Sequence, residues 1–186
     1  MKSLFVVGLS AVLIGTATSA TYAADLVTNG GFETGFLGWT QSGNNRSPYV
    51  DNTDAYSGTY SATLDAVGSL GFLSQNLATT PGETYNLTYY LESDGSTPNA
   101  FRTTVGGNVL FDQTDIPDQP FTKYSSNFAA TSSLTQLQFG FQDDPGYLHL
   151  DNVSVNVVAV PEPSDFLGTL LVSVGVGWFL KRRVVD

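Results

Sequence analysis

The chain has 186 residues, room for one domain of modest core beside two terminal segments. Seven basic residues against 17 acidic ones give a formal net charge of −10, a balance that repels nucleic acid. With no cysteine, disulfides and thiol chemistry are excluded, and the single histidine, His149, limits imidazole chemistry to one position.

The first segment opens with Lys2, continues through the apolar stretch Leu4–Ile14 and reaches Thr21-Tyr22-Ala23 before Ala24. This layout predicts a helical secretory signal peptide over residues 1–23, with a retained N-terminal anchor as the alternative. The next unit, residues 24–157, is rich in Thr, Ser, Asn, Gly, Tyr and Phe and poor in helix formers. From Ala24 to Val160 only Arg46, Arg102 and Lys123 are basic, against fourteen acidic residues, so this span carries −11. The plain use of that charge is solubility.

Alternation with a period of two marks strands. In Thr84–Leu91, Tyr85, Leu87, Tyr89 and Leu91 point one way and Asn86, Thr88 and Tyr90 the other. Phe101, Thr103 and Val105 oppose Arg102 and Thr104; Leu137, Phe139 and Phe141 oppose Gln136, Gln138 and Gln142. Further strands are expected at Asp25–Thr28, Ser47–Asp51, Ser61–Asp65, Gly71–Leu77, Asn108–Asp112, Lys123–Ala129 and Tyr147–Val157. Pro81-Gly82 and Gly106-Gly107 are turn signals. Many short strands at this spacing predict an all-β fold, a β-sandwich of jelly-roll type. Asp143 and Asp144 precede Pro145-Gly146 and read as turn residues.

Residues 158–164 form a linker containing Pro161-Glu162-Pro163. Residues 165–186 follow, with the uncharged run Phe166–Leu180 and the basic cluster Lys181-Arg182-Arg183. As a helix that run spans roughly 22 Å, short of a hydrocarbon core of about 30 Å. It is expected to be a C-terminal transmembrane helix that crosses with help from its flanks, the basic end on the cytoplasmic side. A removable sorting segment fits this marginal length better than a lasting anchor.

Pro161-Glu162-Pro163, the apolar segment and the closing Lys181-Arg182-Arg183, together with the export signal, resemble the PEP-CTERM class of exported bacterial proteins. That resemblance implies a sorting tail cut near Pro161-Glu162-Pro163 by an exosortase-type processing enzyme. It also implies transient residence in the inner membrane and delivery to the cell envelope or extracellular matrix.

The intervening unit carries a second resemblance. Leu26-Val27-Thr28-Asn29-Gly30-Gly31-Phe32-Glu33, Gly38-Trp39, Tyr56-Ser57-Gly58-Thr59-Tyr60-Ser61-Ala62, Pro81-Gly82-Glu83-Thr84-Tyr85 and Leu150-Asp151-Asn152-Val153-Ser154-Val155 occur in this order. They resemble the galactose-binding-like jelly rolls, notably carbohydrate-binding modules of the type attached to xylanases. The resemblance implies a structural calcium joining the start of the domain to its last strand. Glu33 and Asp151 would be its carboxylates, with carbonyls near Gly31 and in the 56–59 loop completing the shell. The family often has a second acid after Asp151, where this chain has Asn152. The alternative is that Glu33 and Asp151 only hydrogen-bond turns.

If the alternating strands are neighbours, Tyr90, Arg102, Gln136 and Gln138 share one polar face, with Asn86, Thr88, Thr104 and Gln142 around them. A ring to stack on a pyranose and amides or a guanidinium for its hydroxyls make a sugar site; an ordinary solvated sheet is the alternative. Trp39 reads as core. His149, between Leu148 and Leu150, reads as a strand histidine rather than a catalytic base, and no catalytic set is assigned. The combined reading is an exported, non-enzymatic carbohydrate-binding module for extracellular polysaccharide. A structural or adhesive matrix protein is the alternative, and a glycan hydrolase a distant third.

Overall fold

The computed structural model describes residues 24–44 and 48–159. The signal segment 1–23 and the tail with Pro161-Glu162-Pro163 lie outside the described residues. Within them the chain forms β1 Glu33–Phe36, β2 Thr40–Gly43, β3 Tyr49–Asp51, β4 Ser61–Leu64, β5 Gly71–Ala78 and β6 Thr84–Ser93. There follow β7 Asn99–Val105, β8 Asn108–Thr114, β9 Gln119–Ala129, β10 Leu134–Asp143 and β11 Leu148–Val157. No helix occurs among the described residues.

Ten of these strands build two five-stranded sheets, ordered β2-β5-β10-β7-β8 and β3-β4-β11-β6-β9. Neighbours pair antiparallel throughout. The sheets stack face to face as a jelly-roll β-sandwich, as the alternation predicted. In β6 and β10 Tyr85, Leu87, Tyr89, Leu91, Leu137, Phe139 and Phe141 are buried, and Asn86, Thr88, Tyr90, Gln136, Gln138 and Gln142 are not.

Phe139 is the hub of the core. Its ring centroid lies 6.0 Å from Trp39, 5.2 Å from Tyr89 and 5.6 Å from Phe101. Tyr89 belongs to one sheet and Phe101 and Phe139 to the other, so these contacts span the sandwich; each such pair adds about 0.5–1.5 kcal/mol beyond area burial. Thr103 Oγ1 donates to Tyr89 Oη at 3.0 Å in the same buried layer, satisfying the phenol that burial keeps un-ionised well above its ordinary range. Trp39 is core, as expected, and its Nε1 donates to the Asn29 carbonyl at 3.1 Å.

Some elements differ from the sequence reading. Asp25–Thr28 is not a strand. The Gln75 side chain takes both main-chain groups of Thr28, accepting from its N–H at 2.7 Å and donating to its carbonyl at 3.0 Å. Those groups are therefore lost to a ladder. β1 and β2 had no alternating apolar signal, and every residue of β2 is exposed. β9 starts at Gln119 rather than Lys123, running through Pro120. It is an edge strand, and Pro120 falls where the ladder to β6 shifts register, a place that tolerates a missing N–H. Asp143 is no turn residue: it ends β10 and is 1% exposed.

Candidate functional site

Register arranges the outward side chains of the β2-β5-β10-β7-β8 sheet in rows. Gln138 lies between Ser74 of β5 and Thr104 of β7, with Thr40 of β2 beyond Ser74. In the next row Gly140 lies between Phe72 and Arg102, flanked by Ser42 and Asp112. Gln136 faces Asn76 on the other side of the Gln138 row. Arg102, Gln136 and Gln138 therefore share a face, as expected. Arg102 Nη2 meets Asp112 Oδ2 at 2.7 Å, both residues well exposed. Such a surface pair adds little stability, but it orients the guanidinium fork.

Tyr90 does not join them. β6 pairs with β11 and β9, whereas β7 pairs with β10 and β8, so Tyr90, Asn86 and Thr88 belong to the opposite sheet. There Tyr90 stacks on Tyr56 with centroids 3.5 Å apart. The aromatic that does share the Arg102 face is Phe72, which sequence reasoning missed. A Cβ on Gly140 would come 3.0 Å from Phe72 Cε1, and one on Gly43 2.7 Å from Cδ2. The two glycines let the ring lie along the sheet surface. The available signal was Gly140 itself, standing in the outward series Gln136, Gln138, Gln142.

Beside these rows runs a cleft of about 510 Å³, bounded by Thr28, Gly38, Thr40, Ser74, Asn76 and Gln136. It exists because β2 begins at Thr40, opposite Ser74, and leaves the rest of the β5 edge without a strand partner on that side. Amide, hydroxyl and guanidinium groups beside a flat ring form a surface that can bond and stack on a polyhydroxylated ligand.

Glu33 and Asp151 converge on one loop. Glu33 Oε1 accepts from the N–H groups of Thr59 and Tyr60 at 2.8 and 3.0 Å, and Asp151 Oδ2 accepts from Ser57 N–H at 2.9 Å. Gly31 sits between them: a Cβ there would lie 3.7 Å from Asp151 Oδ1 and 3.9 Å from Glu33 Cγ. Asp151 is fully buried; burial, with the Glu33 charge adding, pushes its carboxyl above the ordinary range despite the loop amides. Two carboxylates converging on one loop are oxygen donors of the kind that a hard cation such as calcium would take. The loop turns N–H groups toward them, so these bonds also hold the loop by themselves.

A family model described as carbohydrate binding domain matches residues 24–146. Among solved structures, the CBM22-1 xylan-binding domain from Paenibacillus barcinonensis Xyn10C aligns with TM-score 0.59 and 21% identity, over 76% of this chain and 99% of that one. TmCBM61 in complex with β-1,4-galactotriose gives TM-score 0.57 and 18% identity, over 73% and 100%. The K3 cleaved adhesin domain of Lys-gingipain from Porphyromonas gingivalis gives 0.52 and 12%, over 72% and 98%. These likenesses are likenesses of fold. A search of curated proteins gives no match. The family match spans most of the sandwich, and the chain belongs to the carbohydrate-binding domain family CBM_4_9.

Proposed function

We propose that this chain is an exported, non-catalytic module that holds an extracellular polysaccharide on the outer face of the β2-β5-β10-β7-β8 sheet. The observation that carries this reading is the row Phe72–Gly140–Arg102 beside Gln138, an aromatic platform and a fixed guanidinium on one surface. A xylan-binding domain and a domain in complex with β-1,4-galactotriose, both of similar fold, make xylan and β-1,4-linked galactans the first ligands to try. In affinity electrophoresis the chain is expected to be retarded by one of them. Arg102→Ala and Phe72→Ala should each weaken retardation roughly 10-fold, the loss of one charge-assisted bond or one stacked ring. Tyr90→Ala, on the opposite sheet, should leave it unchanged. Retardation that ignores Arg102 and Phe72 would move the site elsewhere, and none with any polysaccharide would favour the structural or adhesive reading.

The tail supports sorting through Pro161-Glu162-Pro163 by an exosortase-type enzyme, with passage across the inner membrane to the envelope or matrix. Mass spectrometry of the mature chain from its host should show loss of the residues beyond about Pro163; an intact C-terminus would mean a permanent anchor instead. For calcium at Glu33 and Asp151, the melting temperature should fall when a calcium-selective chelator is added and recover with excess calcium. An unchanged midpoint would leave the loop hydrogen bonds as the whole of that site.

A further inference from the structure

The opposite sheet carries a second cluster that the sugar-face reading does not use. Asp54, Glu92 and His149 each place one ligand atom within 4.8 Å of the other two. His149 stands directly opposite Glu92 across the β11–β6 pair, both side chains on the outward face and mostly covered. His149 Nδ1 is 3.1 Å from Glu92 Oε2. That oxygen is buried, and its close approach to His149 is one that a shared proton or a shared cation can hold. With metal–ligand bonds of about 2.05 Å, a 3.1 Å separation subtends about 100° at the metal, between octahedral and tetrahedral values.

Asp54 is brought over this pair by its loop. Ser61 Oγ donates to the Asp54 carbonyl, and Asp51 Oδ1 accepts from Thr53 N–H at 3.2 Å and Thr53 Oγ1 at 3.0 Å. Two residues on, Tyr56 lies on Tyr90 and meets Phe121 edge-on at 6.2 Å. Phe121 in turn lies 6.5 Å from the His149 ring. The loop is thus seated on the sheet by aromatic contact, with an acidic side chain aimed at a histidine–glutamate pair. Asp118 adds further negative charge near Glu92. An imidazole among the donors disfavours calcium and magnesium, which take oxygen shells, and suits zinc and its first-row neighbours.

We propose that Asp54, Glu92 and His149 form a binding site for one divalent transition-metal ion, zinc by its donor chemistry, which fastens the 52–60 loop to the β3-β4-β11-β6-β9 sheet. Three protein donors leave at least one coordination position for water. The same loop supplies the amides that hold Glu33 and Asp151, so the ion would steady that region without being part of it.

The test uses the tag-free chain titrated with Co²⁺, followed by visible d–d absorption, and then displaced by Zn²⁺. One equivalent is expected to bind with the intense spectrum of a low-coordinate site. Asp54→Asn, an exposed position that should not disturb folding, is expected to weaken binding roughly 100-fold, and His149→Gln to abolish the spectrum. Glu83→Gln, an exposed carboxylate before the start of β6 and at the other end of that strand from Glu92, should leave the spectrum unchanged. Co²⁺ showing only its hydrated-ion spectrum would overturn the proposal. So would binding that Asp54→Asn leaves intact, which would reduce the cluster to an ordinary histidine–glutamate pair.

Discussion

Replacing Gly30 with alanine is expected to cost the domain about 3 kcal/mol or more, enough to unfold a marginal one. A Cβ at this position would lie 1.9 Å from the Val153 carbonyl oxygen and 2.9 Å from its carbon. That oxygen has nowhere to retreat. The Val153 N–H donates to the Gly30 carbonyl at 2.9 Å, and the Val153 side chain is 3% exposed in the core. The ladder to β6 shifts register between Asp151 and Ser154, which turns this stretch of β11 toward the incoming chain. To relieve the clash the N-terminal segment must lift from β11, carrying Glu33 away from Asp151. Urea unfolding of Gly30→Ala beside Gly31→Ala checks the cause. A Cβ on Gly31 meets nothing nearer than 3.7 Å, so that variant should stay near wild type; equal losses would remove the Val153 contact as the explanation.

Asp143 should make the domain less stable at neutral pH than at pH 4. Its carboxylate is 1% exposed and neither oxygen has a well-formed hydrogen bond. Burial, with repulsion from Asp94 adding, pushes its pKa from an ordinary 3.8 to about 6, and the nearby amides of Gly146 and Asp144 offset only part of this. Between those two values the folded chain keeps a proton that the unfolded chain has released. Stability from this group therefore falls as pH rises from about 4 to about 6, and stays low above. The loss is about 3 kcal/mol at 1.36 kcal/mol for each pKa unit. Asp143→Asn removes the titration while keeping the shape. Its stability should match wild type at pH 4 and exceed it by about 2–3 kcal/mol at pH 7.5. A gap of the same size at both pH values would show that Asp143 does not titrate in this range.

The fold was legible where burial on one face writes a period of two into the chain, as in β6, β7 and β10. It was illegible in β2, whose residues are all exposed and so under no apolar constraint. For the site, alternation told which way Tyr90, Arg102 and Gln138 point from their strands. It could not tell which sheet each strand joins, and that sent Tyr90 to the wrong face. Phe72 was hidden in an apolar run and is revealed only by the glycines that make room for it. Glu33 and Asp151 came from a resemblance, not from spacing. Asp54, Glu92 and His149 meet through three separate loops and strands, and nothing in their sequence separation links them.

The rims of the two sheets bear on how densely such a domain can be crowded. β2, β8, β3 and β9 are the outermost strands. β2 and β3 are only four and three residues long, β8 carries the charged Asp112 and a register shift against β7, and β9 carries Pro120 and Lys123. Each of these blunts a free row of N–H and C=O groups that could otherwise zip onto another copy. Molecules displayed side by side along one polymer would then remain separate beads and not fuse into fibrils.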